Sequence, residues 1–64
     1  MKRIVTVQKW YNGGYCAVIT CYNSENLFDN VTNIKTGITK KRAQIIANTY
    51  NEQLKKHGLL FEIA

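Results

Sequence analysis

The chain is 64 residues long, with nine Lys plus Arg against four Asp plus Glu, a formal charge of +5, 45% hydrophobic residues and no proline. That length allows one domain (1–64) with one modest core, and 20% charged residues among many β-branched and aromatic ones is not the composition of a disordered chain. No apolar run approaches the ~18 residues that cross a membrane, so no membrane association by a spanning helix is expected.

Residues 3–10 are rich in Val, Ile and Thr and read as a first strand. The charge of Met1-Lys2-Arg3-Ile4 suits a signal peptide, but Gln8 and Lys9 interrupt the apolar stretch such a leader needs, so a cytoplasmic location is expected. Tyr11-Asn12-Gly13-Gly14 supplies the positive φ angles of a tight hairpin turn. Residues 15–22 form the second strand. Residues 23–30 are a polar connection whose Leu27 and Phe28 are expected to fold back on the core. A third strand follows near 31–36. Val31 and Ile34 would fall on opposite faces of a regular strand, so one of them belongs at a bulge or in the loop. Gly37 is expected to end that strand.

Thr39 has the chemistry of a helix N-cap. From residue 40 to 57 the apolar positions Ala43, Ile46, Ala47, Tyr50 and Leu54 recur every three or four residues and define one helical stripe. Gly58 stands where a helix stops, after Lys55, Lys56 and His57, which suit the negative end of the helix dipole. The apolar tail 59–64 has three uses open to it: docking on the core, adding an edge strand, or contacting a second copy in a homodimer.

The expected architecture is therefore α+β, a three-stranded antiparallel sheet with one C-terminal helix on one face (β-β-β-α) and a short C-terminal edge strand as an option. Tyr15, Ala17, Ile19 and Cys21 are expected to face the helix together with Val5 and Val7. Thr6, Gln8, Trp10, Thr20 and Tyr22 would then form the outer face, aromatics mixed with hydrogen-bonding groups. Against that use of Trp10 stands a structural one, closure of the hairpin end against Tyr15 or Tyr11.

Chemistry that catalysis needs is sparse. Cys16 and Cys21 lie five positions apart in one strand, ~16 Å, whereas a disulfide needs Cα atoms within ~7 Å; two reduced thiols are expected. One histidine, His57, and no paired cysteines cannot furnish a four-ligand zinc site. Gly13, Gly14, Gly37 and Gly58 match no phosphate-loop spacing. The carboxylates Glu25, Asp29, Glu52 and Glu62 are scattered. The expectation is a protein that is not an enzyme and uses no cofactor or metal.

The charge is unevenly spread: residues 1–24 carry +3, residues 25–34 carry −2, and residues 35–57 carry +5. Lys40, Lys41 and Arg42 stand in the first turn of the helix, where the dipole already favours anions and stability alone would select Asp or Glu. Free backbone N–H groups, the positive dipole end and three cations make an anion site, with phosphate the obvious anion.

The stretch Gly37-Ile38-Thr39-Lys40-Lys41-Arg42-Ala43-Gln44-Ile45-Ile46-Ala47 resembles the start of the last helix in double-stranded RNA-binding domains, where a Ser or Thr, two lysines and an alanine open the helix. Gly14-Tyr15-Cys16-Ala17-Val18 with Thr39-Lys40-Lys41-Arg42-Ala43 also resembles the arm-binding N-terminal domain of phage and transposon integrases and AP2-type domains, over roughly residues 8–54. The chain starts on a strand, where a full double-stranded RNA-binding domain starts on a helix, so the integrase-arm pattern fits better. The resemblance implies a β-β-β-α fold, Lys40 and Lys41 as phosphate contacts, and a free-standing module of phage or mobile-element type.

Two functions are consistent with these residues. In the first, a basic nucleic-acid-binding module, DNA favoured over RNA, uses Lys40, Lys41, Arg42 and Lys9 for phosphates and Gln8, Trp10, Thr20 and Tyr22 as a reading face. In the second, a small phage-type inhibitor or adaptor binds a host protein through the sheet face or an edge and blocks a nucleic-acid-processing or defence complex.

Overall fold

Runs of β-branched residues on either side of an Asn-Gly-Gly turn commit the first third of the chain to a hairpin. The computed structural model of the chain describes residues 1–62. In it β1 (Lys2–Lys9), β2 (Tyr15–Tyr22) and β3 (Phe28–Ile38) form one antiparallel sheet in the order β1-β2-β3, and α1 (Lys40–Lys56) follows. The β-β-β-α order of an α+β fold is present as expected.

β1 and β2 pair without irregularity, from Lys2 opposite Tyr22 to Lys9 opposite Tyr15. Their connection has three residues. Trp10 N–H donates to the Gly14 carbonyl and Gly13 N–H to the Trp10 carbonyl, both at 3.0 Å, which leaves Tyr11, Asn12 and Gly13 in the loop. The positive φ angles fall on Gly13 (106°) and Gly14 (75°) and not on Asn12. This is the hairpin in which a left-handed glycine closes a longer loop. Gly14 is also pinned by its surroundings: a Cβ there would lie 2.9 Å from the Ile38 carbonyl oxygen.

β3 departs furthest from expectation. It begins at Phe28 and runs through Gly37 to Ile38, so Gly37 does not end it. Its register against β2 slips between Cys21 and Tyr22, between Ala17 and Val18, and between Tyr15 and Ala17. At each slip β3 carries the extra residue, so its eleven residues span eight of β2. The middle slip answers the parity problem. Val31 lies opposite Thr20, on the face without the helix, and the extra residue between Asn33 and Lys35 lets Ile34 pack into the core. Gly37, at φ 66°, takes up the left-handed backbone of the third slip. Leu27 and Phe28 do not fold back on the core: they are exposed, Phe28 by 63%. Phe28 pairs with Tyr22 on the face without the helix, turned away from the core.

The helix lies over β1 and β2 and barely reaches β3. Val5, Ala17 and Ala47 are buried at the centre, with Val7, Ile19, Ile34, Ile46 and Leu54 packed around them. Ala17, 0% exposed, and Ala47 are small enough to let the helix settle close to the sheet. The strand set expected to face the helix does so in Val5, Val7, Ala17 and Ile19. The helical stripe holds for Ala43, Ile46, Ala47 and Leu54, but Tyr50 leaves it and is 44% exposed.

Asn51 points inward beside it. Its Oδ1 accepts from the Val5 N–H and its Nδ2 donates to the Val5 carbonyl, both at 2.8 Å. One side-chain amide thus supplies the donor and the acceptor that a neighbouring strand would offer the outer edge of β1.

The tail serves the same edge. Gly58, at φ 69°, reverses the chain after the helix, with its N–H on the Lys55 carbonyl and the Leu59 N–H on the Leu54 carbonyl. Arg3 N–H then donates to the Leu59 carbonyl and Phe61 N–H to the Arg3 carbonyl, both at 2.8 Å, and Leu60 bridges Arg3 in parallel. Residues 59–61 thus make an edge contact on β1. Ile63 and Ala64 lie outside the described residues. Cys16 and Cys21 are free thiols. Among the described residues no helix is long and apolar enough to cross a membrane.

Candidate nucleic-acid interface

Thr39 adopts extended backbone (φ −70°, ψ 155°) and its Oγ1 accepts from the Arg42 N–H at 3.1 Å. One of the free N–H groups of the first turn is thereby satisfied and the turn is held in helical form. Lys40, Lys41 and Arg42 project from it, all exposed, and the turn contains no acidic residue. Lys40 leans toward β2, its Nζ 5.9 Å from the centroid of the Tyr15 ring. Lys9 lies directly opposite Tyr15 in the hairpin. Lys35 lies two positions further along, opposite Ala17.

These groups meet because three elements end at one place. The β1–β2 loop, the last residue of β3 and the first turn of α1 converge, held by the close approach of Gly14 to Ile38. Lys9, Lys35, Lys40, Lys41 and Arg42 stand at this end, and none of the four carboxylates does. The opposite half holds Lys2, Arg3, Lys55 and Lys56 with Glu25, Asp29, Glu52 and Glu62. Four cations there balance four carboxylates, so the whole formal charge of +5 stands at the hairpin end.

The expected site residues divide between two regions. Lys9, Gln8 and the three helix cations are exposed at the basic end, and Trp10 joins them half-buried. Trp10 does brace the hairpin end: its ring lies 4.5 Å from that of Tyr11, tilted by 51°. Thr20 lies mid-sheet on the face without the helix. Tyr22 lies at the far end of β2, seven residues or ~23 Å from Tyr15. One side of the Tyr22 ring is already taken, stacked on Phe61 with centroids 3.8 Å apart and planes 13° from parallel.

The face without the helix is also less open than an unpartnered face would be. Cys16 and Val18 are buried there, between Gln8 and Thr6 on one side and Asn33 on the other. The structure therefore gathers Lys9, Gln8, Trp10, Lys40, Lys41 and Arg42, and leaves Thr20 and Tyr22 apart.

Three residues of the basic end escaped the sequence reading: Tyr11, Tyr15 and Lys35. The signal for Tyr15 was the hairpin itself, since any register that joins residues 9 and 15 sets the tyrosine beside Lys9. Lys35 needs the β3 register, which the bulges conceal. No family model matches the chain, and neither does any curated protein or solved structure.

Proposed function

We propose that the chain is a non-enzymatic module that binds nucleic acid end-on, through the phosphates. The observation that supports this reading most is the convergence of five cations and no carboxylate around a capped helix N-terminus. A cationic, acid-free first turn opposes the helix dipole by about 0.3–1 kcal/mol per exposed charge; bound phosphate would turn that repulsion into attraction. The resemblance to integrase-arm and double-stranded RNA-binding domains points the same way, through Lys40 and Lys41. The face without the helix takes a smaller part than the sequence suggests, since its central residues are buried.

Equilibrium binding of the whole chain to a 20-nucleotide DNA, single-stranded and as duplex, tests this. Five phosphate contacts imply a log–log salt slope of about −4.5 on duplex and about −3.5 on a single strand, so affinity for duplex falls about 500-fold between 50 and 200 mM salt. Replacing Lys40, Lys41 and Arg42 by Ala makes the slope shallower by about 2–3. Affinity that ignores salt, or survives the triple substitution, overturns the reading.

A second reading has one observation of its own. Leu27, just before β3, and Phe28 and Val31 within it are exposed, at the end away from the basic hairpin tip, and an apolar edge of this kind suits a protein partner, as an inhibitor or adaptor would have. A stoichiometric protein partner that survives nuclease treatment and is lost with Phe28→Ala would favour it.

A further inference from the structure

We propose that Tyr11 is a base-stacking residue, and that the nucleic acid taken at the basic end presents unpaired bases. This rests on the phosphate-binding reading above and narrows it to a substrate class.

Tyr11 is 83% exposed, more than any other large hydrophobic side chain among the described residues. At that exposure most of the ring stands in water, where covering it is favourable. It is nevertheless held firmly. Trp10 braces it at 4.5 Å. The loop beneath is closed by the Trp10–Gly14 and Gly13–Trp10 hydrogen bonds. Gly14 fixes the loop against Ile38, one residue before the N-cap Thr39. Ring and phosphate-binding turn therefore keep a set spacing, and the ring loses little freedom when it is covered.

The other aromatic rings are placed differently. Tyr22 is stacked on Phe61. Phe28 is exposed, but it lies next to Asp29 at the end where cations and carboxylates balance, so no net charge there gathers phosphate. Tyr15 is half-buried under Lys40. Tyr11 combines 83% exposure with an acid-free cationic surround.

The occupant follows from that pairing. Phosphates on the cations bring bases within reach of the ring, and every base has a flat face that stacks without regard to sequence. A duplex hides those faces inside its stack. An unpaired stretch offers them.

The test uses the whole chain and two 15-nucleotide probes of equal phosphate number: oligothymidine, and a strand of the same length made of abasic sites. Trp10 is the only tryptophan and lies against Tyr11, so its fluorescence reports on the loop directly. Oligothymidine is expected to bind about 5- to 150-fold tighter than the abasic strand, and to quench Trp10 where the abasic strand does not. Tyr11→Ala should remove that ratio while leaving abasic binding and its salt slope unchanged, and Tyr11→Phe should retain it. Circular dichroism confirms that the loop variants are folded. Equal affinity for the two probes with a steep salt slope overturns the stacking proposal and leaves the phosphate reading standing. Salt-independent binding, or none, overturns both. Loss with Tyr11→Ala of a nuclease-resistant protein partner assigns the ring to a protein contact and overturns the proposal.

Discussion

The two edges of this small sheet are treated in opposite ways. On β1 the backbone groups of Val5 are taken by Asn51, those of Arg3 by Leu59 and Phe61, and the helix lies above. On β3 nine of the eleven residues are exposed, all but Ile34 and Ile38, and the helix barely reaches it. β3 holds to β2 by ladder hydrogen bonds and to the core by Ile34. Its bulges, Asp29 and Lys35 make the open edge a poor template for pairing with another chain. Stability in a chain this short is thus concentrated in one half, the hairpin and helix, while β3 is attached to it.

Asn51→Ala attacks the guarded edge and should have the largest effect. It strips a donor and an acceptor from part-buried backbone, each orphaned group costing about 1–3 kcal/mol. A loss of about 2–4 kcal/mol is expected by urea denaturation, a large share of the roughly 3–10 kcal/mol that a domain of this size possesses. If Asn51→Ala melts like the parent, the amide does not hold β1 and the contrast between the edges fails.

Gly14→Ala comes next, at about 1–3 kcal/mol, because left-handed backbone and a Cβ crowding the Ile38 carbonyl act together. Gly37→Ala, on the open strand, meets backbone strain but empty space, and should be the milder of the two. A reversed order would mean that the loop, not β3, gives way. Thr39→Ala removes the helix cap and should lower stability by about 1 kcal/mol, read from the shift in melting temperature. Val31→Ala, on the face of β3 without the helix, should stay within about 0.5 kcal/mol. Hydrogen exchange sharpens the same contrast: Val5 and Ala17 amides should outlast those of Val31 and Asn33.

What could be read from the sequence follows the same division. The hairpin and helix announce themselves locally, through β-branched strands, paired glycines, Thr39 before the helix and Gly58 after it. β3 does not, because a bulge is chosen by which residue finds the core, and Ile34 finds it only once β2 and the helix are in place. Tyr50 and Asn51 show a subtler limit. Both lie at permitted stripe spacing from Ala47, and hydrophobicity selects the tyrosine. The structure turns the asparagine inward because the edge of β1 needs a donor and an acceptor, a demand that no helical periodicity encodes. In the candidate site, the helix cations were legible as a contradiction of dipole preference. Tyr11 was not, since its role depends on a loop one residue longer than the glycines alone suggest.

The lopsided charge has a kinetic consequence. The molecule is 34 Å long and 21 by 19 Å across, whereas electrostatic influence fades over ~8 Å in physiological salt. A polyanion approaching from any side therefore meets a body with one attractive pole and one indifferent pole. Torque from that imbalance rotates the protein during diffusion, so collisions are biased toward the hairpin tip before any contact forms.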